Sequence, residues 1–160
     1  MGDPEMCLIA FRSDDVPVFP LADAMKARGW HLQPQLAFGP SSENLHLSIN
    51  PSNVRWTAEL LRDLREATEE VRKGAAQYEE ARIFARGFAE RLSGPDAPAL
   101  LPGLVAGMGV SPGGKMPDKM ADINALMNAL PRPVQEQLLS HFVSLLFSAG
   151  SYGGDSGEEK

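Results

Sequence analysis

The segment from Gly109 to Lys115, GVSPGGK, has the glycine and lysine spacing of a phosphate-binding P-loop. Such a loop needs a strand before it, a helix after it, and a serine or threonine directly after the lysine to hold magnesium. Met116 and Pro117 occupy that place, and the preceding residues do not predict a strand. We therefore interpret the segment as a flexible glycine loop.

The other residues capable of site chemistry do not form a recognisable cluster. His31, His46 and His141 lack the spacing of metal ligands and have no cysteine pair beside them. Cys7 lies in an apolar run, which predicts a buried, unreactive thiol. Asp14-Asp15 is better suited to starting a helix than to binding a cation. We predict no catalytic, cofactor-binding or metal-binding residue in this chain.

Composition restricts the class of protein. The 160 residues suggest one domain with an appended helical tail, and an apolar fraction of 43% allows a modest core. A net charge of −6 argues against nucleic acid as a partner. A single cysteine excludes an intrachain disulfide and fits a reducing compartment. Neither a signal peptide nor a membrane span is visible, so we predict a cytoplasmic protein.

Hydrophobic patterning in residues 1–92 predicts the order strand, helix, strand, strand, long helix. Met6–Phe11 reads as a strand buried on both faces, and the first helix ends at Arg28-Gly29. Residues 30–38 read as a second strand, and Pro34 places it at a sheet edge or at a bulge. Alternating Leu45, Leu47 and Ile49 predict a half-buried third strand.

The long helix is predicted to start at Asn50-Pro51, because asparagine caps helices and proline fits their first turn. Its predicted apolar stripe consists of Val54, Thr57, Leu60, Leu61, Leu64, Ala67 and Val71. From residue 74 to 92 the pattern stays helical but becomes polar.

Residues 93–148 predict a Gly/Pro-rich irregular segment followed by two short helices, which pack on the first part or on a partner. One helix is capped by Asp118 and runs to Leu130, and the other follows Pro131. The second carries a broad apolar arc that we expect to be only partly covered: Leu138, Phe142, Leu145, Leu146 and Phe147. Residues 149–160 predict a disordered tail by composition.

Three stretches carry a resemblance to a known family. Residues 21–33, LADAMKARGWHLQ, and residues 44–49, NLHLSI, are the most specific, while residues 104–108 and 134–148 match more loosely. They resemble the C-terminal small domain of the sphingosine-1-phosphate lyase branch of the group II pyridoxal-phosphate decarboxylases. Residues 109–130 depart from the family pattern and have no assignment.

The resemblance implies the small domain of a fold-type I pyridoxal-phosphate enzyme that works as a homodimer. It implies carbon–carbon cleavage of a phosphorylated amino alcohol, or decarboxylation of an amino acid. Pyridoxal phosphate would then act as the electron sink in the complete enzyme. In this family the small domain packs on a large cofactor-binding domain and helps to shape the substrate entrance.

The family's cofactor lysine follows a histidine, and none of the lysines here has that context: Lys26, Lys73, Lys115, Lys119 and Lys160. Some glutamate-type relatives have a substrate-binding arginine at the end of the last strand. The matching position in this chain is Asn50, which cannot pair with a carboxylate as arginine would. The chain is therefore expected to lack catalytic activity alone.

We expect an α+β fold with a three-stranded antiparallel or mixed sheet, helices on one face and a helical C-terminal extension. The leading hypothesis is a C-terminal domain, either a fragment or a split subunit, of a pyridoxal-phosphate-dependent lyase or decarboxylase. Its partners would be the large domain and a second copy. The alternative is a free-standing α+β module that binds a small ligand or a protein.

Overall fold

The computed structural model of the chain describes residues 7–91, 103 and 118–147. Its sheet consists of β1 (Leu8–Phe11), β2 (Gln33–Gln35) and β3 (Asn44–Ser48). All pairings are antiparallel, in the order β1-β3-β2. The predicted α+β class with a small antiparallel sheet is confirmed. The predicted edge position of β2, which contains Pro34, is also confirmed. Proline has no N–H to donate to a neighbouring strand.

The first strand differs from its prediction. β1 lies at the sheet edge, with Leu8 45% exposed and Cys7 also exposed. An edge strand has a neighbour on one side only, so an apolar run there is not buried on both faces. The predicted burial of the Cys7 thiol is therefore wrong.

The core forms where α1 (Val18–Ala27) packs between the sheet and a long helix. Phe19, Met25 and Leu45 are its largest fully buried side chains. Gly29 adopts a φ of 88°, a left-handed conformation that suits glycine, and it ends α1 as predicted.

The long helix begins later and runs further than predicted. A short 3-10 helix, Val54–Trp56, precedes α2, Thr57–Arg91, which is 35 residues long. Asn50 does not cap it, because Asn50 and Asn53 form a local turn in which the Asn50 N–H donates to Asn53 Oδ1 at 2.9 Å.

The predicted stripe of α2 is correct for four residues that belong to or pack against the core: Leu60, Leu64, Ala67 and Val71. It is wrong for Val54, Thr57 and Leu61, which are all exposed, Val54 and Leu61 by 55%. Leu61 follows Leu60 by one residue, which rotates its side chain about 100° away from the core.

The two C-terminal helices are α3 (Ala121–Ala129) and α4 (Arg132–Phe147). The predicted Asp118 cap is wrong, because the Met120 and Ala121 N–H groups donate to the carboxylate of Asp23 in α1, at 2.8–3.0 Å. Leu138, predicted to be partly covered, is only 3% exposed. The side chains of the other four members of that apolar arc lie outside the described part, as do residues 104–117 and the tail.

Leu64→Ala should lower the free energy of unfolding by about 2 kcal/mol, since it removes a partly buried leucine that packs on the core. Leu61→Ala should cost less than about 0.5 kcal/mol, as is usual for exposed positions. Denaturant unfolding of both variants tests the assignment of the helix face. Equal losses would contradict it.

Asp23→Ala should destabilise the fold by about 1 kcal/mol, the usual cost of removing the oxygen acceptor at a helix start. Glu66→Ala, on the exposed surface of α2, is the matched control and should change stability by less than about 0.5 kcal/mol. Thermal melts of the two variants measure these changes in stability. An Asp23→Ala melt that matches the control would contradict a capping role.

Candidate functional site

A groove of about 490 Å³ lies in the described part of the structure, between the start of α1 and α2. One wall is the connection from β1 to α1, residues 12–19, and Ser42 and Glu43 close one side. The opposite wall is α2, through Ala75, Tyr78, Glu79 and Arg82. The groove therefore exists because α2 extends well beyond the small sheet that it covers.

A smaller cavity of about 170 Å³ adjoins this groove. The two share Phe19, Glu43, Tyr78 and Arg82, and the smaller one extends to α3 through Ala125, Asn128 and Ala129. The contact between Asp23 and the first turn of α3 fixes this wall, because it attaches α3 to α1.

Charged side chains on the rim of the groove are paired with each other. Arg12 donates to Ser42 Oγ at 3.0 Å and lies 3.3 Å from the Asp14 carboxylate. Arg82 contacts Glu79 at 3.0 Å. Since the guanidinium groups already have carboxylate partners, the groove is not a strongly positive anion trap.

Asp15 holds the groove wall against α2. Its carboxylate accepts from Ser13 Oγ at 2.6 Å and from Arg72 at 2.8 Å. These two hydrogen bonds, that from Ser13 foremost, lower the pKa of Asp15 below its ordinary value. The carboxylate therefore stays ionised at neutral pH and keeps its contact with α2.

Glu43 connects the groove to α3. It lies 3.8 Å from the Arg82 guanidinium and accepts from Asn128 Nδ2 at 3.4 Å. Asn128 Oδ1 in turn accepts from the Ala37 N–H at 2.7 Å. This chain of contacts aligns the loop before β3 with α2 and α3.

Tyr78 lies at the junction of the two cavities. Burial raises the pKa of its phenol above the ordinary value near 10. The hydroxyl is therefore neutral at physiological pH, and it can donate or accept a hydrogen bond but cannot act as a phenolate nucleophile.

The lining of these cavities offers little catalytic chemistry. Among the described lining residues there is no histidine, cysteine or lysine. No group of three or more His, Cys, Asp or Glu side chains within the described ranges could hold a metal ion. The arrangement can bind a polar molecule by hydrogen bonding. The Ser13 hydroxyl lies beside the Asp15 carboxylate, which is also paired with Arg72.

The lysines considered for a cofactor do not converge on the groove. Lys26, Lys73 and Lys119 are exposed and absent from its lining, and Lys26 Nζ donates to the Asp118 carbonyl at 3.2 Å. Lys115, in the glycine segment, and Lys160, in the tail, lie outside the described residues. The described residues therefore do not fit a covalently held pyridoxal phosphate.

The other side chains singled out from the sequence are also dispersed. His31 is exposed, His46 is half-buried on β3, and Asn50 organises an exposed turn by accepting from the Ser52 N–H. The side chain of His141 lies outside the described part. Sequence reasoning missed Tyr78, although it follows Val71 by seven residues and so continues the buried stripe of α2.

A comparison with known protein families found a match in the second half of the chain. Residues 86–145 match the family described as "Pyridoxal-dependent enzyme, C-terminal putative HTH domain". The match includes the end of α2, all of α3 and most of α4. It also includes residues 109–130, which had no assignment from the sequence. The described part of that segment forms α3.

Several curated proteins are similar to the chain over about 72 residues. The chain is 38% identical over 72 residues to the sphingosine-1-phosphate lyase of Arabidopsis thaliana, covering 45% of this chain and 12% of the relative. The Oryza sativa subsp. japonica enzyme is 33% identical over 72 residues, 45% of this chain and 13% of the relative. Sphingosine-1-phosphate lyase 1 of Rattus norvegicus is 30% identical over 73 residues, 46% of this chain and 12% of the relative.

These findings confirm the predicted resemblance to the C-terminal domain of pyridoxal-phosphate enzymes of the sphingosine-1-phosphate lyase type. The chain spans only 12–13% of the length of the relatives that it matches. No solved structure matches it significantly. Within the described ranges, no helix combines the length and apolar character needed to cross a membrane.

Tyr78 should resist ionisation at its ordinary pKa near 10. The chain has two tyrosines, so a Tyr152→Phe variant leaves Tyr78 as the only phenol. Because the folded-state pKa is the higher one, the unfolded chain releases this proton first, and stability should fall as pH rises above about 10. Ultraviolet titration of this variant follows the ionisation of Tyr78 and the alkaline unfolding that accompanies it. A reversible midpoint near 10 in the folded protein would contradict burial of the phenol.

Proposed function

We propose that this chain serves as the C-terminal domain of a pyridoxal-phosphate-dependent lyase similar to sphingosine-1-phosphate lyase, or of a related amino-acid decarboxylase. The observation that carries the proposal is the family match over residues 86–145, supported by the relatives. The domain itself is not catalytic. It works packed on a large cofactor-binding domain, within a cytoplasmic homodimer.

The domain divisions predicted from the sequence are consistent with this role but remain predictions. In this proposal the α+β small domain lies within residues 1–92, and helices within residues 93–148 pack on it or on a partner. We assign the chemistry of the complete enzyme to the large domain, which in the family carries the cofactor lysine.

The chain alone should not be fixed to pyridoxal phosphate at any particular lysine. After incubation with the cofactor and borohydride, peptide mass spectrometry should find only sparse labelling shared among the lysines. Lys26→Arg and Lys73→Arg should leave the absorbance of the mixture unchanged. One lysine labelled almost completely would contradict the proposal.

Co-expression provides the positive test. The partner is a large domain carrying the histidine-lysine cofactor motif, encoded ahead of this chain or in the adjacent reading frame. The pair should co-purify and cleave or decarboxylate an amino substrate that neither part processes alone. Failure of such a domain to bind the chain would overturn the proposal.

The second candidate function is a free-standing module that binds a small polar ligand, and the groove of about 490 Å³ is the feature that favours it. Binding there should perturb the NMR signals of Tyr78 and Arg82. A screen of small polar compounds against the chain alone separates the two candidates, since a micromolar ligand of the groove without a large domain would favour the module.

A further inference from the structure

The second half of α2 exposes two adjacent large apolar side chains on the side that faces away from the core. Ile83 and Phe84 are 61% and 76% exposed. Ala85 and Ala89 of the same helix are buried. Successive helical residues are rotated by about 100°, so Ile83 and Phe84 both lie at least about 100° around the helix from the two buried alanines.

Three further exposed residues continue this surface along the helix. Glu80 lies one turn before Phe84, Gly87 lies one turn after Ile83, and Arg91 follows Gly87 by one more turn. Residues three or four apart share a helix face, so the five positions form one contiguous strip. We call this strip the distal face: Glu80, Ile83, Phe84, Gly87 and Arg91, all exposed.

Gly87 leaves a gap in the middle of the distal face. A Cβ atom placed on Gly87 would meet no atom of the surrounding fold within 4 Å. Glycine inside a helix is less favourable than alanine, so the packing of a single chain gives no reason for its presence here. A side chain from another molecule could occupy the space above it.

The charges at the two ends of the distal face are of opposite sign. Glu80 and Arg91 are both exposed, and the ion pairs of α2 in the described part of the chain include neither of them. Eleven residues separate them, about 16 Å along the helix, which is too far for them to pair with each other in one chain. A surface that is acidic at one end and basic at the other is complementary to a copy of itself rotated by half a turn.

We propose that the distal face binds the distal face of a second copy of this chain, as an antiparallel helix pair. The two-fold axis passes between Ile83 and Phe84, so Ile83 of one copy packs beside Phe84 of the other. Glu80 then lies level with Gly87 of the second copy. Arg91 of the second copy is four residues further on, about 6 Å along the axis, where its long side chain reaches the Glu80 carboxylate. Each contact occurs twice. The proposal uses this chain alone and does not depend on the proposed function.

Sedimentation of the full chain measures the association directly. A single pair of helices is a small interface, so a weak monomer–dimer equilibrium should appear at concentrations below about 1 mM. Ile83→Glu should raise the dissociation constant at least about tenfold, because it places a carboxylate at the apolar centre of the contact in both copies. Leu61→Glu is the matched control and should change it less than about twofold. Leu61 is 55% exposed on the same helix, twenty-two residues earlier.

Charge reversal tests the antiparallel arrangement. Glu80→Arg alone and Arg91→Glu alone should each raise the dissociation constant about fivefold, since each places like charges together at two symmetric contacts. The double variant exchanges the two charges and should return the dissociation constant to within about twofold of the wild type. Thermal melts of all variants should stay close to that of the wild type, because the substituted positions are exposed.

Each other outcome overturns the proposal. A chain that remains monomeric up to about 1 mM has no such contact. Equal effects of Ile83→Glu and Leu61→Glu would place the dimer contact elsewhere, and a double charge variant as weak as the single ones would exclude the antiparallel pair. If Ile83→Glu unfolds, the charge variants decide alone. None of these results bears on the proposed function, because no large domain takes part in the experiment.

Discussion

The fold depends on one narrow stripe along α2. Four residues of this 35-residue helix are buried, and they fall at helical spacing: Ala67, Val71, Ala85 and Ala89. Ala67 and Val71 pack with the sheet and α1, while Ala89 packs with α3 and α4. Because three of the four are alanines, neighbouring elements can approach the helix closely. A single element thus holds two apolar clusters together.

Ionic contacts align α2 across its neighbours without contributing much to stability. Arg28 at the end of α1 contacts Glu70 at 2.9 Å, and Arg72 contacts Asp15 at 2.8 Å. Arg28 is 25% exposed and the other three side chains are 46–68% exposed. Exposed pairs typically contribute less than about 1 kcal/mol. The Trp30 indole N–H donates a hydrogen bond to Asp63 at 2.8 Å. This hydrogen bond is the main reason why the pKa of the Asp63 carboxyl is lowered. Together these contacts set the rotation of α2, and so decide which side chains face the groove.

Local patterns in the sequence were sufficient where the structure depends on local chemistry. The alternation of Leu45 and Leu47 predicted the central strand, and Gly29 predicted the end of α1. The exposure of Leu61 could not be predicted from the sequence. Leu60 and Leu61 are adjacent on a helix and cannot both face one core, and the pattern does not say which of them does. Asp23 accepts from the Met120 N–H at the start of α3 but lies 97 residues earlier in the sequence, so no local sequence pattern predicts this contact.

A buried polar side chain closes the turn between α3 and α4. In the second helix, Gln135 is buried and donates to the Met127 carbonyl at 2.7 Å, which closes the turn between the two helices. Leu138, one turn further, is buried in the same apolar cluster as Met127 and Leu130. The turn therefore brings Leu138 into the apolar cluster that also contains Ala89 of α2 and Met127 of α3.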